Sequence, residues 1–253
     1  MTIPDQPQLK DKVAIITGGG QGIGRAIGLG FAREGANVVL CGRTVSSVEA
    51  VCHEARRLGI TAIPMQADVS RESDVERVVD KAVNVFGTID ILVNNAGVAG
   101  PLALITHISK QAWDDTLNIN LTGMFLCARA VLRHMIERRT GNIINISSGA
   151  GLRTARVRSL PYGVSKFGVE GLTYTLAVQM KPYGIAVNAL RPGPHDTAMH
   201  QETPPEFRTG AWQHMRQPNG VSKLAVFLAL QTVETMTGAS IDLVEWEKHV
   251  RPT

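Results

Sequence analysis

The sequence predicts an α/β fold: a Rossmann-like doubly wound parallel sheet of about seven strands, with helices on both faces, in a single domain spanning residues 1–253. Short apolar, β-branched runs alternate with longer helical patterns along the chain. The strand-like runs are almost continuously apolar, as expected of strands covered on both faces. Strict alternation of the two element types implies parallel strands joined by right-handed crossovers.

The individual elements follow from these patterns. The predicted strands are residues 13–17, 37–41, 61–66, 89–93, 142–147, 186–190 and 240–244. The predicted helices are residues 22–34, 45–58, 72–86, 110–138, 161–182 and 221–234. One segment breaks the alternation: residues 194–219 contain four prolines and no clear period. They predict a long loop serving as a substrate lid.

Composition and charge exclude several classes of protein. Hydrophobic residues make up 44% and charged residues 19%, which is typical of a globular chain. The net charge of +4 comes without a Lys/Arg run or aromatic–basic interleaving, so we expect no nucleic-acid partner. A mildly basic enzyme that binds an anionic cofactor would carry such a charge.

The composition of the sequence also predicts the location of the protein and the redox state of its cysteines. No run approaches the ~20 apolar residues that span a bilayer, and the N-terminal residues lack the apolar core of a signal peptide. We therefore expect a cytoplasmic protein with no membrane partner. Cys41, Cys52 and Cys127 lack a CxxC spacing and predict reduced, buried thiols. The seven histidines show no ligand spacing, so no metal site is predicted.

A glycine-rich segment follows the first predicted strand and precedes a helix. It reads Thr17-Gly18-Gly19-Gly20-Gln21-Gly22-Ile23-Gly24. Glycines allow a tight turn and a close backbone approach to a pyrophosphate, and a helix N-terminus favours the anion. The segment predicts a dinucleotide site, with a plain tight turn as the alternative.

Tyr162 and Lys166 form a second candidate site. Four residues apart on a helix, they lie on one face. A nearby ammonium lowers the pKa of a phenol, which makes the tyrosine able to exchange a proton with an alcohol or ketone oxygen. Ser148 follows the fifth predicted strand, at the sheet edge where doubly wound folds bind ligands, and its hydroxyl could stabilise charge on that oxygen. Taken alone, Tyr162 would more simply be a core tyrosine.

Several motifs, spread along the chain and occurring in the same order, resemble those of the short-chain dehydrogenase/reductase family. Besides Thr17–Gly24 they are Asp68-Val69, Asn94-Asn95-Ala96-Gly97, Asn118-Ile119-Asn120, Ile146-Ser147-Ser148, Tyr162-Gly163-Val164-Ser165-Lys166, and Pro192-Gly193 leading to Thr197. The resemblance implies an enzyme that interconverts a ketone or aldehyde and an alcohol, with hydride carried by a nicotinamide cofactor.

The same resemblance assigns roles to individual residues. It implies a catalytic set of Ser148, Tyr162, Lys166 and Asn120, with Ser147 structural. Lys166 would also bridge the cofactor ribose, and Asn120 would support a water linking Lys166 to solvent; a helix-kink or capping role is the alternative for Asn120. The implied cofactor-binding residues are Gly18, Gln21, Gly22, Ile23, Gly24, Asp68, Val69, Asn95, Ala96, Gly97, Tyr162, Lys166, Pro192, Gly193 and Thr197.

The end of the second predicted strand bears on the choice of cofactor. NAD-preferring relatives tend to carry an Asp there, whereas this chain has Gly42 followed by Arg43 and Thr44. Arginine presents a planar charged fork that suits a 2′-phosphate, and Thr44 adds a hydroxyl. The sequence therefore favours NADP(H), with NAD(H) possible because Gln21 stands where many NADP-users carry a second basic residue.

The chain departs from the family at its C-terminal end, where Ile241–Glu247 replaces the usual Asp-Gly-Gly tail. The family implies a homotetramer or dimer formed through the long helices at 110–138 and 161–182. The alternatives are an NAD-dependent alcohol dehydrogenase of the same family or a catalytically idle, cofactor-sensing member. The motifs do not name the substrate.

Overall fold

The computed structural model describes residues 7–152, 159–195 and 217–249. Its strands form one parallel sheet of seven, in the order β3-β2-β1-β4-β5-β6-β7, which confirms the predicted fold class. The strands are β1 (Val13–Thr17), β2 (Asn37–Gly42), β3 (Ala62–Gln66), β4 (Ile91–Asn94), β5 (Gly141–Ile146), β6 (Ile185–Arg191) and β7 (Ser240–Asp242).

Helices connect these strands. They are α1 (Gly22–Arg33), α2 (Val45–Arg56), α3 (Glu72–Phe86), α4 (Lys110–Leu117), α5 (Gly123–Arg138), α6 (Leu160–Met180), α7 (Asn219–Ala229) and α8 (Leu243–His249). A π-helical turn, Asn118–Thr122, joins α4 to α5. In the part of the chain that the structure describes, no helix combines the length and apolar character needed to cross a bilayer.

Two hydrophobic layers sandwich the sheet, because successive side chains of a strand point to opposite faces. In β1, Ile16 packs with α1, α2 and α7, whereas Ile15 packs with α3, α5 and the end of α6. The strand β1 is buried along its whole length. This double burial explains why the strands read as continuous apolar runs rather than as alternating patterns.

Two predicted boundaries were wrong at the C-terminal end. The last strand stops at Asp242 instead of continuing to residue 244, because the Asp242 carboxylate accepts hydrogen bonds from the amides of Val244 (3.0 Å) and Glu245 (3.2 Å) and starts α8. The helix predicted at 221–234 covers Asn219–Ala229 instead. Beyond it, the Thr235 hydroxyl accepts a bond from the Thr232 amide at 2.8 Å, a local alternative to helix.

The long helix predicted at 110–138 is interrupted by the π turn at Asn118–Thr122. Such turns widen a helix by one residue and occur often at functional sites. Directly after it, a side chain at Gly123 would approach the Val69 Cγ2 to 2.8 Å, so α5 begins in close contact with the segment that follows β3.

The parallel arrangement places the carboxyl ends of all strands along one edge of the sheet. Chain order reverses between β1 and β4, which are neighbours although the chain visits β2 and β3 between them. Doubly wound folds bind their ligands in the crevice above such a switch point. The segments that follow β1, β4, β5 and β6 therefore define where a functional site is to be sought.

Candidate active site

The glycine-rich segment forms the turn between β1 and α1. Gly18 and Gly22 have φ values of +65° and +53°, a left-handed backbone that glycine adopts without strain. A Cβ on Gly24 would lie 2.2 Å from the Gly18 carbonyl oxygen, so the first turn of α1 packs directly on the strand-to-helix turn. Gln21 is the exposed N-cap residue of α1, and Ile23 packs against the core. This is a turn of bare backbone before a helix N-terminus, which suits a pyrophosphate.

A second segment, after β4, holds that turn in place. The Thr17 hydroxyl accepts bonds from the amides of Asn95 (2.9 Å) and Ala96 (3.0 Å). The Asn95 side chain donates in return to the carbonyls of Thr17 (2.8 Å) and Gly18 (3.2 Å). These contacts fix the glycine turn against the end of β4. In this structure Asn95 therefore supports the shape of the turn. Sequence reasoning did not single out Thr17, although it opens the motif.

The end of β2 lies beside the glycine turn, and Gly19 donates to the Cys41 carbonyl at 3.1 Å. Arg43 and Thr44 are exposed, and Thr44 is the N-cap residue of α2, whose first turn contains no acidic residue. A Cβ on Gly42 would meet the Val48 Cγ2 at 3.3 Å, so a larger residue there needs a small shift of Val48. The arrangement exposes a guanidinium beside a helix N-terminus, and both attract anions.

Asp68 and Val69 form the turn between β3 and α3. The Asp68 carboxylate accepts bonds from the Ser70 amide (3.0 Å) and hydroxyl (2.7 Å), and its own amide donates to Asp74 at 2.9 Å. Val69 is buried against the start of α5. Asp68 thus shapes its own turn, and the two residues lie at the carboxyl end of β3.

Asn120 lies in the π turn, and its side chain is completely buried. Its Oδ1 accepts a bond from the Val98 amide at 2.8 Å, and its Nδ2 donates to the Val98 carbonyl at 2.9 Å. The same Nδ2 donates to the Ser165 hydroxyl at 3.1 Å, which donates to the Tyr162 carbonyl at 2.7 Å. Asn120 therefore ties the segment after β4, which contains Gly97, to the first turns of α6.

Ser148, Tyr162 and Lys166 come together where β5 ends against α6. The Ser148 hydroxyl hydrogen-bonds the Tyr162 side chain and also accepts a bond from the Ala150 amide at 3.2 Å. Lys166 is buried one helical turn after Tyr162, with its Nζ 5.6 Å from the centre of the Tyr162 ring. That Nζ donates to the Ile146 carbonyl at 2.7 Å. The structure thus brings the predicted serine, tyrosine and lysine into one cluster.

The electrostatics of this cluster differ in one respect from expectation. Burial raises the pKa of Tyr162 above its usual value, and the hydrogen bond from Ser148 offsets only part of that rise. The sequence predicted a pKa lowered by the Lys166 ammonium; that prediction was wrong for this structure, because the effect of burial is the larger one. Burial also lowers the pKa of Lys166 to about 8, against the opposing effect of Glu170.

Two residues behind the cluster extend it. Ser147 is buried, and its hydroxyl donates to the Glu170 carboxylate. Glu170 was not predicted as a site residue, although its position four residues after Lys166 places both on one face of α6. That spacing was the available signal.

The segment after β6 lies at the same edge of the sheet as the turn after β1. Pro192 is buried, and Gly193 has a φ of +75°. A Cβ on Gly193 would lie 3.8 Å from the Cγ2 of Val244, at the start of α8. Thr197 lies outside the described residues, as do residues 196–216 of the predicted lid at 194–219.

All three cysteines are free and buried, which confirms the prediction of buried thiols. Across residues 7–152, 159–195 and 217–249 no cluster of three metal-ligating side chains occurs.

The cluster at the end of β5 has the parts that carbonyl–alcohol chemistry needs. It combines a phenol that holds a proton, a hydroxyl beside it, and a buried ammonium one turn away. The glycine turn across the crevice offers the backbone for a dinucleotide.

Comparison with known proteins agrees with this geometry. Residues 12–207 match the sequence profile described as short chain dehydrogenase. The chain is similar to the (2S)-[(R)-hydroxy(phenyl)methyl]succinyl-CoA dehydrogenase subunit of Thauera aromatica, with 39% identity over 84% of each protein.

Two solved structures extend the likeness to the fold. A variant of actinorhodin polyketide ketoreductase, solved with NADPH, superposes with a TM-score of 0.84 at 30% identity, covering 94% of this chain and 97% of that one. A xylitol dehydrogenase bound to NAD⁺ has the same TM-score and identity, covering 92% of this chain and 98% of its own. The chain therefore belongs to the short-chain dehydrogenase/reductase family and is an oxidoreductase that acts on the alcohol–carbonyl pair.

Proposed function

We propose that this protein reduces a ketone or aldehyde to an alcohol, or runs the reverse reaction, with Tyr162 as the proton donor and NADP(H) as the preferred cofactor. The observation that carries the proposal is the hydrogen bond between the side chains of Ser148 and Tyr162, with the Lys166 ammonium 5.6 Å from the same ring. A nicotinamide cofactor, when bound, supplies or accepts the hydride.

The side chains of the cluster donate the proton and stabilise the charge that results. The raised pKa of Tyr162 keeps its phenol protonated at neutral pH, so it can donate to a carbonyl oxygen that gains negative charge. The Ser148 hydroxyl has a single proton, which it turns from the phenol oxygen to the reacting oxygen, where it adds a second hydrogen bond to that of Tyr162. Lys166, held at the Ile146 carbonyl, supplies a positive charge that favours the phenolate left behind. Asn120 contributes by fixing the first turns of α6 through Ser165.

The end of β2 supports NADP(H). Gly42 carries no carboxylate that would repel a 2′-phosphate, and the exposed Arg43 beside the N-terminus of α2 offers a charged fork to bind it. NAD(H) stays the alternative, because Gln21 adds no second positive charge. An arginine–phosphate contact worth about 1.5–3 kcal/mol corresponds to roughly a 10- to 100-fold preference in kcat/KM.

We further propose a homotetramer or dimer. One face of α6 exposes apolar side chains at helical spacing: Leu160, Val164, Phe167, Tyr174 and Val178 are 37–66% exposed. A stripe of this size on a single protein marks an interaction surface, and a second copy offers the matching stripe. Val178→Asp should lower the molecular mass measured by light scattering; an unchanged mass would place the subunit contact elsewhere.

The free, buried cysteines support a reducing, cytoplasmic location.

The test is a panel of ketones and alcohols read by the absorbance of the reduced nicotinamide. We expect turnover with at least one carbonyl compound, faster with NADPH than with NADH. Ser148→Ala should lower kcat by roughly 10²-fold, as for the loss of one donor to a developing oxyanion. Ser73→Ala, at an exposed position of α3, is the matched control and should leave kcat unchanged. Cofactor binding without turnover of any substrate would instead support the idle, cofactor-sensing alternative.

A further inference from the structure

The carboxyl end of β5 is joined to α6 by two hydrogen bonds that run in opposite directions. The Lys166 ammonium donates to the Ile146 carbonyl at 2.7 Å, and the next residue of the chain, Ser147, donates its hydroxyl to Glu170. Ile146 and Ser147 are both buried, and Ser148 follows directly. The backbone that presents Ser148 is therefore fixed to the helix that carries Tyr162.

The turn after Ser148 presses on the same part of α6. A Cβ on Gly151 would lie 2.6 Å from the Lys166 carbonyl oxygen and 3.1 Å from the Glu170 Cγ. The stem of Glu170 is thus enclosed between this turn and its own helix, with its carboxylate held by Ser147. The side chain has little freedom to leave its place beside Lys166.

Glu170 also supplies charge at a position where charge is scarce. Of the described ionisable groups, Glu170 is the one whose charge acts on Lys166; Tyr162 faces it through its ring. Other ionisable side chains lie on the elements packed against α6. They are Lys110, Asp114 and Asp115 on α4, Cys127, Arg129, Arg133, His134, Glu137 and Arg138 on α5, Lys181 and Tyr183 after α6, and Arg191 on β6.

We propose that Glu170 is a positioning residue of the active site: with Ser147 it clamps β5 to α6, and its carboxylate holds Lys166 in the charged form that the reaction uses. The inference rests on the proposed function, because it assumes that Lys166 acts as an ammonium beside Tyr162. The clamp and the charge are separate effects of one side chain.

These two effects predict different behaviour with pH. Glu170 opposes the lowering of the Lys166 pKa by burial. Removing its charge should therefore lower that pKa further below about 8, so that less of the enzyme holds a charged Lys166 in mildly alkaline solution. If the pKa falls by about one unit, the protonated fraction at pH 8 falls about fivefold, whereas at pH 6 it hardly changes.

The first measurement is the titration of Lys166 in the full chain, by NMR of lysine labelled with ¹³C at Cε. The Lys166 signal is identified by its loss in Lys166→Arg. We expect Glu170→Gln, which keeps an acceptor for Ser147, to move the midpoint down by at least half a pH unit. Glu76→Gln, which removes a charge from an exposed site on α3, should not move it. Should Glu170→Gln not fold, Glu170→Met serves in its place.

The second measurement is kcat/KM against pH with the carbonyl substrate found in the panel. Glu170→Gln should lose about fivefold at pH 8 and approach the wild type at pH 6. Ser147→Ala keeps the carboxylate and should lower kcat by a factor that is constant across this range. An unmoved Lys166 midpoint in Glu170→Gln would overturn the role of the charge, and wild-type kcat in Ser147→Ala would overturn the clamp. The NMR titration does not depend on the proposed function. If that function fails, the wild type is inactive in the substrate panel, while the Lys166 midpoint still reports on Glu170.

Discussion

The two halves of the crevice are built on different principles. Around β1 and β2 the chain presents backbone: a turn of glycines, an exposed helix N-terminus, and solvent-exposed Arg43 and Thr44. Around β5 and α6 it presents buried polar side chains with hydrogen-bond partners: Asn120 donates to Ser165, Lys166 to the Ile146 carbonyl, and Ser147 to Glu170.

The difference shows where each half tolerates change. The backbone half depends on the absence of Cβ atoms and accepts different side chains at its exposed rim. The buried half depends on hydrogen bonds in a place of low dielectric, where a missing partner is costly. We therefore expect cofactor choice to be adjustable by exposed residues and the chemistry to be lost by single changes in the buried set.

The largest effect should come from Tyr162→Phe, which removes the proton donor and almost no volume. We expect kcat to fall by roughly 10²-fold or more while the affinity for the cofactor, measured by fluorescence titration, stays close to that of the wild type. Tyr183→Phe, just beyond α6, is the control. If Tyr162→Phe kept more than about a tenth of the wild-type kcat, Tyr162 would not be the proton donor.

The backbone half is tested by Gly24→Ala. Its new Cβ would lie 2.2 Å from the Gly18 carbonyl oxygen, so the glycine turn must move. Overpacking of this kind costs about 1–3 kcal/mol, and we expect KM for the cofactor to rise roughly 10- to 100-fold. Gly220→Ala, whose Cβ would make an ordinary contact at 3.5 Å, should behave as the wild type in the same assay. Equal KM values for the two variants would contradict the close approach at Gly24.

Cofactor choice is tested by Gly42→Asp. A carboxylate there should repel a 2′-phosphate and lower the NADPH/NADH ratio of kcat/KM by about 10-fold or more. Because a Cβ at this position lies 3.3 Å from Val48, Gly42→Ala is needed to separate crowding from charge and should change the ratio little. If the alanine and aspartate variants shifted the ratio alike, charge at this position would not determine the preference.

A further prediction concerns stability rather than activity. The folded state lowers the pKa of Lys166 from 10.5 to about 8, so between those values the unfolded chain binds more protons than the folded one. Stability relative to Lys166→Met should therefore rise as pH increases from about 8 to about 10.5, by up to about 3 kcal/mol. Urea unfolding of both proteins at several pH values measures this difference. A difference that is independent of pH would mean that burial does not disfavour the charged lysine.

The sequence was informative where periodicity and backbone chemistry determine the structure. The order of elements, the glycine turn and the proximity of Tyr162, Lys166 and Ser148 all follow from alternation, helical spacing and the shared edge of a parallel sheet. It was less informative where a single side chain redirects the backbone, as Asp242 does in starting α8. The direction of the Tyr162 pKa shift and the clamp by Glu170 depend on which atoms meet in three dimensions, and spacing alone does not fix that.

The separate roles of the two halves are tested most directly by measuring kcat/KM with NADPH and with NADH for the wild type, Tyr162→Phe and Gly42→Asp, on one carbonyl substrate. If the buried half performs the chemistry and the backbone half selects the cofactor, Tyr162→Phe lowers both values by the same factor and leaves their ratio unchanged. Gly42→Asp then changes the ratio while kcat with NADH stays near that of the wild type. A Tyr162→Phe enzyme that stays active, or one that loses activity with only one cofactor, would contradict the division of labour between the two halves.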